Sequence, residues 1–233
     1  MPDQQKKIVF CTAGILSFAS ALTIAAAIGT QLWIKGTVLC KTGAQLVNAT
    51  GQELEKFLGE IHYGLFRGQK LRQCGLGGRT ITFSFFPDLL TVVPASIHVC
   101  VIIFSAALII ISLVETGFFM YNAFGKPFET LHGPIGLYLW NFISCCSGFL
   151  IMILFLSEVK LHRLSEKIAN YKEGNFIFKT HKEQYGTSFW LILICFFTHF
   201  LNILLIRLAG IKFPFHSSKE TDNGTSAAAD LMY

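Results

Sequence analysis

The chain has 233 residues, of which 52% are hydrophobic and only 14% charged, and its formal net charge is +5. A soluble domain carries about 25% charged residues, so this composition points to lipid and excludes an ordinary soluble fold. The positive charges are scattered with no block of like sign, which leaves nucleic-acid binding without an electrostatic footprint.

Four runs lack Asp, Glu, Lys and Arg altogether: Ile8–Thr30, Leu89–Val114, Thr130–Ser157 and Gln184–Ile206. Each exceeds the roughly 20 residues a helix needs to cross a bilayer. In lipid the backbone must satisfy its own hydrogen bonds, so each run is expected to be a helix. The predicted spans are 8–30, 95–121, 134–157 and 186–209. They leave a short N-terminal segment (1–7), a long first loop (31–94), a turn (122–133), a second loop (158–185) and a tail (210–233).

The first span begins with Lys6 and Lys7 and contains Ala25-Ala26-Ala27, a pattern shared with cleaved signal peptides. Its apolar stretch outruns the roughly 7–15 residues of a signal-peptide core, so a retained helix is expected. Along it, Ala13, Ser17, Ala21, Ala25 and Gly29 form a ridge of small residues spaced by four. Such a ridge lets helices approach closely in lipid. Packing within the bundle is the expected use, with a homo-oligomer contact the alternative. Cys11, just inside the span, is placed for palmitoylation or for burial as a thiol.

In the first loop, Leu32–Leu39 and Ile81–Phe85 have strand character. Gly51–Glu60 reads as a short helix with Leu54, Phe57 and Leu58 on one face, and Tyr63–Phe66 as a further strand. Gly75–Gly78 is a turn without the Lys-Ser/Thr of a phosphate-binding loop. Cys40 and Cys74 are the only cysteines outside the spans, since Cys11, Cys100, Cys145, Cys146 and Cys195 fall within them. They are expected to pair, and closing that loop contributes about 2–4 kcal/mol. Asn48-Ala49-Thr50 in the same loop is an N-glycosylation acceptor.

Gly125, Pro127 and Gly133-Pro134 make 122–133 a constrained reversal. After the third span, Leu161, Leu164, Ile168 and Tyr171 continue helical spacing to about residue 173, where Gly174 is placed to end it. Asn175–Thr180 is then expected as a strand joining the first loop's sheet. Within the spans, His98 and Glu115 are read as reaching the interface from span ends. His199 and Asn202 share a face and are expected to bond Asn141 across helices. Cys145 and Cys146 are read as packing residues. No metal-ligand spacing, paired carboxylates or nucleophile–base pattern occurs, so neither an enzyme nor a cofactor is expected.

Lysine and arginine counts on the two sides do not decide orientation. The acceptor at Asn48 shares its loop with Cys40 and Cys74, and disulfides persist in oxidising compartments. The competing acceptor, Asn223-Gly224-Thr225, lies in the tail. The expectation is a multi-pass plasma-membrane protein with the sheet outside and both termini cytoplasmic. The ending Leu231-Met232-Tyr233 then suits a PDZ domain, which adds an apolar-x-apolar tail to its sheet edge; an inert end is the alternative.

Trp33, Gly64-Leu65-Phe66 and Cys74 resemble the W…GLW…C pattern of claudin-type tetraspans. Phe66 stands where that pattern has Trp, and Cys40 precedes the Gly-Leu-Phe element instead of following it. These departures argue against a tight-junction barrier or pore. The chain is more similar to the clarins, on Leu32–Lys35, Gln73–Gly77, Phe83–Asp88, Met120–Leu131, Leu164–Gly174 and Ala228–Tyr233. The resemblance runs essentially end to end. It implies a claudin-like α-helical membrane protein, a four-transmembrane-helix bundle carrying a small extracellular antiparallel β-sheet. It also implies a role in sensory hair cells and photoreceptors, in hair-bundle integrity, actin organisation and ribbon synapses, and the family's link to Usher syndrome. The expected partners are the bilayer, cytoplasmic PDZ or actin-linked scaffolds, and other membrane proteins such as channel or adhesion complexes. The functional expectation is a non-enzymatic membrane organiser, with a channel auxiliary subunit or transport protein as the alternative.

Overall fold

A computed structural model describes residues 3–125 and 133–210. Four long helices, α1 (Asp3–Gly29), α3 (Ala95–Phe124), α4 (Pro134–Lys160) and α6 (Thr187–Leu208), are apolar and long enough to cross a membrane. They close a ring in which α1 packs on α3, α3 on α4, α4 on α6 and α6 on α1. Short helices α2 (Lys41–Leu46) and α5 (Leu164–Asn170) lie at one end, together with strands β1 (Ile34–Cys40), β2 (Leu58–Tyr63), β3 (Arg67–Gln73), β4 (Gly78–Ser84) and β5 (Phe178–Tyr185). The strands form one antiparallel sheet in the order β4-β3-β2-β1-β5.

Alternation explains which face of the sheet is covered. Ile34, Val38 and Cys40 of β1, Ile61 and Tyr63 of β2 and Phe178 of β5 are buried. They share a core with Leu164, Ile168 and Ala169 of α5 and with Phe155 and Val159 of α4. The intervening residues, among them Lys35, Glu60, Arg67 and Lys182, are exposed.

Several elements differ from the sequence reading. The third span does not run on to residue 173. It stops at Lys160, and Arg163 adopts a left-handed backbone (φ 48°, ψ 53°) before α5 begins. The reversal brings Leu164 and Ile168 under the sheet, where a straight helix would have carried them past it. The helix expected over 51–60 is a short 3-10 segment, Gly51–Phe57, and the chain then enters β2. Gly64-Leu65-Phe66 is the turn between β2 and β3, not a strand. Strand β3 escapes a periodicity search because Gly68 and Lys70 occupy its covered face. The last strand starts at Phe178, three residues later than Asn175. The tail with Leu231, Met232 and Tyr233 and the acceptor at Asn223 lie outside the described residues.

The sheet joins α1 and α6 through short connections, while residues 85–94 lead from β4 to α3. Gly186 alone separates β5 from α6, and its N–H donates to the Trp33 carbonyl at 2.8 Å. A side chain at Gly64 would start 1.9 Å from the Thr30 carbonyl oxygen, and one at Gly186 would start 2.2 Å from that of Leu32. Both positions therefore require glycine, because backbone approaches backbone there.

Candidate functional site

Three clusters of polar groups organise the molecule, and the first sits where sheet meets bundle. Trp33 is fully buried; its indole N–H donates to the Ala27 carbonyl at 2.7 Å, satisfying a group that the end of α1 leaves open. Its ring stands edge-on to Phe155, with centroids 4.8 Å apart. Beside it, His98 of α3 reaches Leu65 in the β2–β3 turn. Its Nε2 lies 2.7 Å from the Leu65 carbonyl oxygen, which can only accept, so Nε2 carries hydrogen. Nδ1 faces both carboxylate oxygens of Glu158, at 2.9 and 3.1 Å. One proton therefore lies between imidazole and carboxylate. The His98 ring stacks on Phe85 at 4.4 Å, and both members of the pair are fully buried. The pair joins α3, α4 and the Gly64-Leu65-Phe66 turn. Phe66 is partly exposed against Phe86.

The second cluster locks α5 to the sheet. The Lys70 ammonium donates to the carbonyls of Ile168, Ala169 and Tyr171 at 3.3, 3.0 and 2.9 Å, and pairs with Glu173 at 2.8 Å. A cation at a helix C-terminus complements the open carbonyls and the dipole there. Arg72 Nε approaches the other Glu173 oxygen at 2.9 Å, near enough for charge attraction but without an aligned N–H. Nearby, Tyr63 bonds Ser165 through the two hydroxyls at 2.9 Å, and burial holds the Tyr63 phenol well above its ordinary pKa.

The third cluster crosses the middle of the bundle. One apolar core, containing Ile24, Leu108, Ile151 and Cys195, fills the sheet side; a second, containing Ala13, Phe119, Tyr138 and Ile206, fills the far side. Between them each long helix contributes buried polar groups: Ser17, Ser112 and Glu115, Asn141 and Ser144, His199 and Asn202. Ser144 donates to Glu115 Oε1, and Ser17 donates to Oε2 at 3.3 Å. Asn202 Nδ2 donates to Ser17 Oγ at 2.9 Å. Ser112 gives its hydrogen to the Leu108 carbonyl, so its oxygen accepts from His199 Nε2 at 3.2 Å. His199 Nδ1 lies 3.0 Å from Glu115 Oε2 but off the line of a hydrogen bond.

These contacts correct the reading of the span residues. Glu115 does not reach an interface; it is fully buried and touches groups from the other three helices. His98 stands near a span end yet turns inward to Glu158. Asn202 bonds Ser17, while Asn141 Nδ2 bonds its own helix at Leu137, so His199, Asn202 and Asn141 do not form the expected set. The small-residue ridge is also split. Ala13, Ser17 and Ala21 are buried, whereas Ala25 and Gly29 are exposed. A helix has 3.6 residues per turn, so a row spaced by four drifts around the cylinder; the buried line continues through Ile24 and Ala27 instead. Of the vicinal pair, Cys145 is buried and Cys146 exposed.

Cys40 and Cys74 form a disulfide with Cα atoms 5.5 Å apart. It ties the end of β1 to the turn after β3, at the tip of the sheet remote from the bundle. Asn48 is exposed just beyond α2 with a left-handed backbone (φ 50°). Cys11 is half-buried and packs on the far-side core. Among the described residues no three His, Cys, Asp or Glu side chains converge as metal ligands.

The open face of the sheet is polar near the bundle, carries Leu39 opposite Leu58 toward its tip, and is ordered by its register. Lys35 lies opposite His62 and Gln184, Thr37 opposite Glu60 and Lys182, and Gln69 opposite Thr82.

Comparison with known proteins agrees with this architecture. A family described as Clarin-2-like matches residues 5–206. The chain is 68% identical to human Clarin-1 and 39% identical to human Clarin-2, over the full length of both chains in each case. It is 30% identical to human Clarin-3 over 88% of each chain. With a four-span bundle, a disulfide-bearing sheet and likeness over its whole length, the chain belongs to the clarin family of multi-pass membrane proteins.

Proposed function

We propose that the protein is a non-enzymatic membrane organiser of sensory cells. Its sheet recognises a partner outside the cell, and its tail engages PDZ or actin-linked scaffolds inside. The observation that carries this reading is the sheet, seated on the bundle through one-residue and backbone-to-backbone joints and leaving one polar face uncovered. A rigid platform of this kind suits recognition of other membrane proteins such as channel or adhesion complexes, or of a second copy. Clarin membership supports placing it in hair-cell stereocilia, ribbon synapses and photoreceptors, in service of hearing and vision. In this orientation residues 31–94 and 158–185 are extracellular, Asn48 carries a glycan, both termini are cytoplasmic, and Cys11 lies within reach of palmitoylation.

The test is a glycosidase mobility shift on protein from cells. Loss of the shift in Asn48→Gln alone supports the reading. Loss in Asn223→Gln instead places the sheet in the cytoplasm and overturns it. The alternative, a transport protein or channel auxiliary subunit, draws support from the buried ionisable groups in the bundle. Purified protein in liposomes is expected to be electrically silent; ion conductance would favour the transport reading.

A further inference from the structure

The cations around the sheet are treated differently on its two faces. Lys70, Arg72 and Lys160, which face the covered side, each lie beside a carboxylate, that of Glu173 or Glu183. On the open face Lys35, Arg67, Lys179 and Lys182 are exposed, and among the described residues none of the four is ion-paired. Scattered along the sequence, these four are brought to one face by the strand register. Gln184 and His62 flank Lys35, Lys182 and Glu60 flank Thr37, and Lys179 and Leu58 flank Leu39. Lys35, Lys182 and Lys179 therefore stand on three successive rungs of the β1–β5 pair, about 7 Å apart along the strands. Arg67 adds a fourth cation from β3, and Glu60 is the one carboxylate among the open-face positions of the five strands. So one-sided a set raises the local concentration of anions.

The kind of anion follows from what else the face carries. Protein partners are held chiefly by aromatic and arginine anchors, and lysine is depleted where proteins meet. Here no Phe, Tyr or Trp occupies an open-face position, and three of the four cations are lysines. Between the cations stand neutral hydrogen-bonding groups, among them Thr37, Gln69, Thr82 and Gln184. A linear polymer carrying repeated sulfates and hydroxyls meets both sets. Its sulfate oxygens accept charge-assisted hydrogen bonds from the cations, and its sugar hydroxyls meet the threonines and glutamines. We propose that the open face binds a sulfated glycosaminoglycan chain, laid along the β1–β5 seam over Lys35, Lys182 and Lys179. The proposal rests on the reading that the sheet lies outside the cell, and it gives the recognised partner a chemical class.

The experiment measures binding of the full chain, in nonionic detergent at about 0.15 M NaCl, to immobilised heparin, with desulfated heparin and polyglutamate as comparisons. Wild type is expected to bind heparin and not the desulfated chain. Lys35→Glu combined with Lys182→Glu is expected to weaken binding on the order of tenfold or more. Lys56→Glu combined with Arg79→Glu makes the same change of charge at exposed positions off this face and is expected to leave binding within about twofold. Equal losses in the two pairs would reduce the effect to net charge and overturn the proposal. Binding to desulfated heparin as tight as to heparin, or to polyglutamate as tight as to heparin, also overturns it, the latter in favour of an acidic protein partner. Should the variants not fold, acetylation of wild-type lysines decides: heparin should shield Lys35, Lys179 and Lys182 more than Lys56, and even shielding sinks the site. Binding in detergent does not depend on orientation, so an inverted topology shows only in the glycosidase shift. A failed glycan site shows only in these binding measurements.

Discussion

Two buried histidine–carboxylate pairs share helix α3, about 25 Å apart along its axis, and they are built differently. His98 and Glu158 are closed by a third group, the Leu65 carbonyl, and each imidazole nitrogen has an aligned partner. His199 and Glu115 are surrounded by polar groups from all four long helices, yet the geometry between them is off-line. The first pair is a clasp whose hydrogen bonds are complete without help. The second is a looser polar layer whose strength lies in joining all four long helices. Burial alone does not tell how firmly a histidine–carboxylate pair is held; the alignment of its hydrogen bonds does.

That contrast breaks most readily at the clasp. His98→Ala leaves a carboxylate and a turn carbonyl buried without partners and is expected to cost about 3–5 kcal/mol, read by thermal unfolding in detergent. His98→Phe combined with Glu158→Leu should recover the part of the loss due to the stranded carboxylate, since apolar groups can replace a matched pair, while the Leu65 carbonyl stays without its donor. A double variant no better than the single one would show that the clasp does more than fill space.

Removing the disulfide with Cys40→Ser and Cys74→Ser is expected to cost about 2–4 kcal/mol. Because the bridge lies at the far tip of the sheet, hydrogen exchange should quicken in β1–β4 and stay slow in the four long helices. Quickened exchange around His98 would mean that sheet tip and clasp are one unit.

Within the bundle, Ala21→Leu overpacks a buried position and should cost about 1–3 kcal/mol. Ala25→Leu, one turn on and exposed, is expected to fall within about 0.5 kcal/mol of wild type. Equal losses at the two positions would restore the ridge as one packing surface and place a partner on its outer part.

The bundle was legible in the sequence because lipid forbids unpaired backbone, so a long charge-free run must close its hydrogen bonds as a helix. The disulfide was legible because the spans claimed every other cysteine. Much of the sheet was not. Strand β3 hides its period behind Lys70 and Gly68, and the break at Arg163 has no proline or glycine to announce it. The clasp was invisible for a different reason. His98 and Glu158 are 60 residues apart, and nothing local tells a histidine near a span end to turn inward. Glu115 was misread on the same ground: its partners come from three other helices, and only their packing brings them together. The Gly64-Leu65-Phe66 element was noticed as a resemblance, but its physical use appears only in three dimensions, where Leu65 lends its carbonyl to His98.

The glycines at the joints have a mechanical consequence. With one residue between β5 and α6, and with Gly64 pressed against Thr30, the sheet has no slack tether where it meets the ends of α1 and α6. A load pulling on the sheet is delivered to the ends of α1 and α6 without first straightening a linker. The sheet is a lever fixed to its post, and any side chain added at Gly64 would act as a wedge that tilts it.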